Sequence, residues 1–244
     1  MTSPTRAVIS GHSRGLGAAI AENLLARGIA VLGLARQGNP ALAAAYPQLL
    51  QEAALDLADD AALAAWCDGG RMAEFLSGCH RGLLINNAGT VQPVAAPGHQ
   101  GATAIARAVA LNVAAPLMLA DAFAALPLAE RRLLHISSGA ARSPYAGWSV
   151  YCATKAALDM HARAVAADAL PGLSIVSLAP GVIDTDMQAE VRACDTQAFP
   201  LRDRFLALKR EGQLSSPAAC AERLVSHLLS ADFGTSPVQD LREL

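Results

Sequence analysis

The chain of 244 residues has little aromatic character, little charge, and no signal for membrane, metal or nucleic acid. Aromatics are only 4% of the residues, so a core has to be built from Ala, Leu, Val and Ile. Charged residues reach 16% against 53% hydrophobic, a balance that excludes a disordered chain. The net charge of −2 offers no basic face to nucleic acid. The five cysteines (Cys67, Cys79, Cys152, Cys194, Cys220) are odd in number and form no C-x-x-C pair, so they read as reduced thiols of a cytoplasmic protein. The six histidines have no ligand spacing, which argues against a metal centre. The longest uncharged apolar stretch, Ala108 to Ala120, is broken by Asn112 and Pro116 and is too short to span a bilayer. The N-terminal MTSPTRAVIS lacks the apolar region of a leader.

What is present is an alternation of apolar strand-like runs and amphipathic helix-like runs from Arg6 to the last helix, PAACAERLVSHLLS. No linker, repeat or change of composition interrupts it. That pattern predicts one α/β domain, a doubly wound parallel sheet of Rossmann type with helices on both faces. Ligands of such sheets bind at the carboxyl ends of the strands. The long helical stretch from about Gln100 to Leu126 contains Asn112, a poor interior helix residue. Asn112 is either a hydrogen-bonded bridge between packed elements or the mark of a local helix distortion that offers a carbonyl to water. From Val182 to Ser216 the pattern turns irregular and reads as a lid over the site.

The first strand ends at Val8 and Ile9 and runs into Gly11-x-x-x-Gly15-x-Gly17, then a helix closed by Gly28. A strand, a glycine-rich turn and a helix N-terminus together cradle phosphate. A fold that favours NAD carries an acid about 20 residues past these glycines. That window here reads ARQG, with Arg36 in place of an acid, and Arg14 lies inside the turn. Two guanidiniums suit the extra phosphate of NADP, so NADP(H) is expected ahead of NAD(H). Asp56, at the end of the third strand run EAALDL, is either an acceptor for the adenine amine or a helix cap, although Asp59 or Asp60 suits the cap better.

The chemistry is expected between Ser138 and Lys155. Ser138 follows the apolar run LLHI at a strand end. Tyr151 and Lys155 are four residues apart, on one face of a helix that starts near Ser149. A charge about 4 Å from the phenol, at an effective dielectric of about 20, is worth about 4 kcal/mol, or about three pKa units. That predicts a phenol brought near neutrality, where general acid/base catalysis works best.

The set formed by the glycine turn, Asn86-Asn87-Ala88-Gly89, Asn112, Ser138, Tyr151-x-x-x-Lys155 and Pro180-Gly181 resembles the short-chain dehydrogenases/reductases over nearly the whole chain. The resemblance implies hydride transfer with a nicotinamide cofactor. It implies Tyr151 as acid/base, Lys155 on the nicotinamide ribose, Ser138 on the substrate carbonyl and Asn112 in a proton relay through water. It implies cofactor contacts from Gly11, Ser13, Arg14, Gly15, Leu16, Gly17, Arg36, Asp56, Leu57, Asn87, Ala88, Gly89, Pro180, Gly181, Val182 and Thr185. Family members are usually dimers or tetramers joined through the helices that carry Asn112 and Tyr151. GWSVYCATKAALDM, APGVIDTDMQ and LKREGQLSSP are similar to the group of sepiapterin reductase and its bacterial relatives that reduce benzil. That narrower likeness points to a small carbonyl substrate touched by Trp148, Met187, Gln188 and Asp240. A ketoacyl-carrier-protein reductase or an alcohol dehydrogenase differs only in lid and pocket. A dinucleotide-sensing protein without catalysis is expected to lack the phenol or the amine, and both are here.

Overall fold

The computed structural model describes residues 4–244. Residues 1–3, part of the N-terminal stretch read above for a leader, lie outside them. Seven strands form one sheet: β1 (Thr5–Ser10), β2 (Ala30–Ala35), β3 (Leu50–Ala54), β4 (Arg81–Asn86), β5 (Glu130–Ile136), β6 (Leu173–Ala179) and β7 (Val238–Asp240). The spatial order is β3-β2-β1-β4-β5-β6-β7 and every neighbouring pair is parallel. The central strands are apolar at consecutive positions because helices cover both of their faces. On one face Ile20 and Leu24 of α1 (Gly15–Ala26) meet Leu224 and Leu228 of α10 (Pro217–Leu229). On the other, Leu63 of α3 (Asp60–Asp68) meets Leu119 and Phe123 of α6 (Ala115–Ala124). Each such buried side chain contributes about 2 kcal/mol. The fold is the expected doubly wound parallel sheet.

The order of strand addition reverses between β1 and β4, which pair in parallel from Thr5–Arg81 to Ser10–Asn86. The turn after β1 and the loop after β4 therefore diverge from one crevice at the strands' carboxyl ends, the place where such sheets bind ligands. Four short or irregular features differ from the sequence reading. β3 starts two residues earlier and ends at Ala54, where its pairing with β2 stops, so Asp56 lies in the turn beyond it. Two short helices, α2 (Pro40–Ala45) and α4 (Arg71–Leu76), carry too few turns to show a period. Segment 182–216 is not irregular throughout: it holds α8 (Asp186–Arg192) and α9 (Arg202–Arg210), and a bridge between Ile183 and Ser215 joins its ends. The short tail after the last helix, SPVQDLREL, adds β7 to the sheet edge and ends in a final turn.

The stretch around Asn112 is a π turn (Ala110–Ala114) between α5 (Ala102–Val109) and α6. The distortion predicted there is present. The combined helix of 23 residues is longer than the apolar stretch seen in the sequence, and by length and composition it would cross a membrane. Here it is a packed helix of the domain, with Ala115, Leu119 and Phe123 buried against the sheet.

Candidate active site

The crevice floor is backbone laid on backbone. Gly11 and Gly15 have φ of +74° and +58°, which L side chains rarely adopt. A Cβ on Gly17 would fall 2.0 Å from the Gly11 carbonyl oxygen. Arg14, at the N-cap of α1, makes no side-chain cap, so the first N–H groups of the helix keep their capacity for an anion. Across the crevice the Ser10 hydroxyl accepts from the backbone N–H of Asn87 and Ala88, and Asn87 Nδ2 donates to the carbonyls of Ser10 and Gly11 at 3.1 Å. A cradle this narrow fits a dinucleotide pyrophosphate. Thr185, at the N-cap of α8, closes its rim, 3.6 Å from where a Gly15 Cβ would stand.

Arg14 and Arg36 are exposed at the same end of the sheet. Arg14 lies 3.4 Å from Asp186 at the start of α8. Asp56 is not aimed freely at an adenine: its Oδ1 accepts from the Ala58 N–H and its Oδ2 pairs with Arg107 at 2.9 Å. Those two contacts hold its carboxyl below the usual range. Asp59 takes the cap of α3. Leu57 is buried in the core below.

One group in this region was not legible in the sequence. Glu52 of β3 accepts from His12 Nε2 and from the Asn39 N–H, both at 2.6 Å. Burial raises the Glu52 carboxyl, but these two donors outweigh it and the net shift is downward. Asn39 also donates to the Ser13 carbonyl and caps α2 through Leu42. The β2–α2 loop is thus tied both to the glycine turn and to β3. The clue was His12, a polar residue inside the turn; its ring lies where a Cβ on Gly33 would otherwise stand, 2.4 Å away.

The polar cluster assembles at the ends of β4, β5 and α7 (Ser149–Ala167). Asn112 is buried, and its Oδ1 accepts from the Thr90 N–H at 2.9 Å while Nδ2 donates to the Thr90 carbonyl and to Thr154 Oγ1. It therefore bridges packed elements as well as marking the distortion. A Cβ on Gly89 would be 3.2 Å from Asn112 Oδ1 and 3.7 Å from Lys155 Nζ, so the loop after β4 touches both. Ser138 follows β5 and caps a short 3-10 turn through the Ala140 N–H.

The expected electrostatics of the Tyr–Lys pair are overturned. Lys155 Nζ donates to the Ile136 carbonyl at 2.8 Å and lies 5.8 Å from the centre of the Tyr151 ring. Burial pushes the phenol up to about 12, and the Ser138 hydroxyl beside it only partly opposes this. Burial pushes the Lys155 ammonium down to about 8, with Asp159 one turn on pulling it back up. Desolvation of both groups dominates here over the charge of the neighbouring amine.

Beneath the cluster lie polar groups the sequence did not single out. Asp159 Oδ1 accepts from the hydroxyls of Ser137 and Ser177 at 2.6 and 2.7 Å. His135 of β5 is fully buried; its Nε2 lies 3.0 Å from His161 Nδ1 and its Nδ1 3.2 Å from Asn86 Nδ2. Asn86 Nδ2 also donates to the Pro116 carbonyl, so the His135 Nδ1 is the acceptor and Nε2 carries the proton. Burial drives the His135 imidazole down to about 3.

On the substrate side, Trp148 is buried under segment 182–216, against Phe199. Val182 and Met187 border the same aromatic cluster. Pro180 and Gly181 follow β6, and the Gln188 Oε1 is buried with no partner among the described residues. Asp240, at the end of β7, is buried and its carboxylate is taken by Arg242 at 2.6 and 2.8 Å, with Arg142 at 3.7 Å.

Comparison with known proteins agrees with this geometry. Residues 5–196 match the family model described as short chain dehydrogenase. The chain is 35% identical to benzil reductase ((S)-benzoin forming) of Bacillus cereus over 93% of this chain and 94% of the relative. It is 35% identical to sepiapterin reductase of Meriones unguiculatus over 93% and 92%. A crystal structure of a short-chain dehydrogenase/reductase from Burkholderia vietnamiensis superposes with a TM-score of 0.72 at 46% identity, covering all of both chains. With its parallel sheet, its glycine cradle and its Ser–Tyr–Lys cluster, the chain belongs to the short-chain dehydrogenases and is an NAD(P)-dependent oxidoreductase.

Proposed function

We propose that the chain is an NADPH-dependent carbonyl reductase acting on a small ketone or vicinal dicarbonyl. The observation that carries this reading is the gathering of Ser138, Tyr151, Lys155 and Asn112 beside the loop after β4. The similarity to proteins named benzil reductase and sepiapterin reductase supports the substrate class.

The glycine cradle would hold a nicotinamide dinucleotide, which when bound would supply the hydride for the carbonyl carbon. Tyr151 donates its proton to the carbonyl oxygen; a phenol pushed up to about 12 is fully protonated before the reaction, as a proton donor must be. Ser138 donates a preorganised hydrogen bond to the same oxygen, a contribution of about 3 kcal/mol in comparable sites. Lys155, fixed on the Ile136 carbonyl, would hold the nicotinamide ribose. Asn112 holds the distorted helix whose carbonyl receives the relay water. Arg14 and Arg36 would hold the additional phosphate of NADPH, and segment 182–216 would cover the substrate. Three of the four basic residues of α9 are already paired, Lys209 with Asp184, Arg202 with Asp203 and Arg210 with Glu211, which leaves exposed Arg204 as a poor docking patch for an acidic carrier protein. That favours a small substrate.

The protein works as a homodimer or homotetramer in the cytoplasm. An apolar groove lined by Ile105, Val109 and Val113 of the α5–α6 helix and Val150 and Ala153 of α7 supports a second copy as the partner. The five free cysteines suit a reducing compartment.

Replacing Tyr151 with Phe tests the assignment. Turnover of benzil with NADPH should fall about a thousandfold while the NADPH dissociation constant stays within about twofold. Retained turnover places the acid elsewhere. A panel of benzil, sepiapterin, an acetoacetyl thioester and simple ketones, each with NADPH and NADH, tests substrate class and cofactor preference together; a thioester preferred over every diketone overturns the first.

A further inference from the structure

Five of the ten Phe, Tyr and Trp residues in this aromatic-poor chain meet at one place. Trp148 is their hub. Its indole stacks on Phe199 (centroids 4.6 Å apart, planes at 26°), touches Phe205 and Tyr145 at 5.6 Å, and meets Tyr151 edge-on at 5.2 Å and 64°. Phe199 and Phe205 belong to segment 182–216, while Trp148 and Tyr151 lie at the start of α7.

The segment is a unit with its own internal ties. Asp184 donates its N–H to the Ser215 carbonyl and Ser215 to that of Val182, which pins the two ends together. The Asp184 carboxylate pairs with Arg192 and Lys209, and α8 packs on α9 through Val191, Phe205 and Leu208. Its attachments to the rest of the protein are few. The polar ones, Arg14–Asp186 and Gln92–Glu190, are exposed and contribute little. Besides Ile183, buried in the main core at its base, its apolar attachment is the seat of Phe199 and Phe205 in the cluster around Trp148, where the backbone also closes: a Cβ on Gly147 would stand 2.2 Å from the Ala198 carbonyl oxygen. The indole Nε1 is buried there with no acceptor among the described residues. A buried donor left unpaired weakens the seat without loosening the unit itself.

We propose that Trp148 is a positioning residue for the Tyr151 phenol, and that segment 182–216 acts on the phenol through it. With Phe199 and Phe205 seated, the indole edge fixes the Tyr151 ring between α7 and Ser138. With the segment lifted, the indole loses its stacking partner and the phenol loses its lateral support. Proton donation is thereby confined to the state in which the substrate is covered. This rests on the reading of Tyr151 as the acid.

The chain has two tryptophans, so Trp66→Phe leaves Trp148 as the sole indole reporter. In that background, Phe199→Ala and Phe199→Leu remove the stacking ring, the second while keeping most of the apolar volume, and Trp148→Phe shortens the hub. The values of kcat, KM and the NADPH dissociation constant are measured on each, and Trp148 emission on the two Phe199 variants. The two Phe199 variants should shift Trp148 emission to the red and lower kcat about 10- to 100-fold, with the NADPH dissociation constant within about twofold of the parent. Trp148→Phe, which keeps a ring, should lose about tenfold in kcat with its melting temperature largely retained. A red shift without loss of kcat overturns the proposal, as does a loss confined to KM. A loss of NADPH binding in step with kcat also overturns it, since that marks general damage. If Tyr151→Phe keeps its activity, the acid assignment fails instead, whatever the Phe199 variants do.

Discussion

Around Gly11 the crevice is made of backbone packed on backbone; around Trp148 it is made of rings packed on rings. At the first end a missing side chain is what matters, and the tolerances are those of the main chain: a Cβ on Gly17 or Gly11 meets backbone atoms at 2.0 and 2.9 Å. At the second end the same space is filled by side chains from two parts of the chain some fifty residues apart, and a rotamer change can open it. The contrast suits what each end has to do. A pyrophosphate is a constant shape and is best held by fixed N–H groups, whereas a substrate has to be admitted and released.

Four measurements test the contrast between the two ends. The largest effect is expected from Gly17→Ala, which sets a methyl against the Gly11 carbonyl; it should lower stability by about 3 kcal/mol or more and abolish cofactor binding. Gly139→Ala, beside Ser138 and with open space around it, should change the melting temperature little. Similar losses in the two variants would show that the backbone floor is not the rigid end.

Next is the pair Arg14 and Arg36. Neutral replacements at both should raise the KM for NADPH about 100-fold and that for NADH only slightly. An equal rise for both cofactors removes the case for NADPH.

Third is acid sensitivity beneath the catalytic cluster. The His135 imidazole sits near 3 in the folded protein and near 6.5 when unfolded, so below 6.5 the unfolded chain binds the extra proton. Stability should therefore be full above about pH 6.5 and fall as the pH drops toward 3, by about 2 kcal/mol between 6.5 and 5 from this group. Half-buried His161, also shifted down by burial, acts in the same direction. Urea unfolding at the two pH values measures it, and His135→Phe should flatten the slope.

The smallest effect is expected at Glu52. Glu52→Gln keeps the shape of the tie to His12 and Asn39 but removes its charge, and should raise the KM for NADPH about fivefold, or about 1 kcal/mol. An unchanged KM would mean that the β2–α2 loop holds its place without the tie.

The sheet, its parallel sense and the strand ends that carry Gly11, Asn87, Ser138 and Pro180 were readable because each rests on a local pattern: an apolar run, a helical period, a glycine where only glycine fits. The distorted helix at Asn112 was readable for the same reason, since asparagine inside a helix is a local misfit. Helices α8 and α9 were missed because their positions are fixed by docking on Trp148 and on each other, not by a strong period of their own. Glu52 was missed because a sequence window cannot show that an acid on one strand will serve the loop of its neighbour.

By itself, then, the order of residues determined the fold class, the cradle and the four polar groups of the site, since these depend on spacing along one or two elements. Tertiary structure alone decided the protonation of those groups. Tyr151 and Lys155 are one helical turn apart in any helix, but whether the amine lowers the phenol depends on how much water each has lost and on which carbonyl the amine has found. Desolvation is a property of everything packed around a group, and the residues that pack around Tyr151 come from all over the chain.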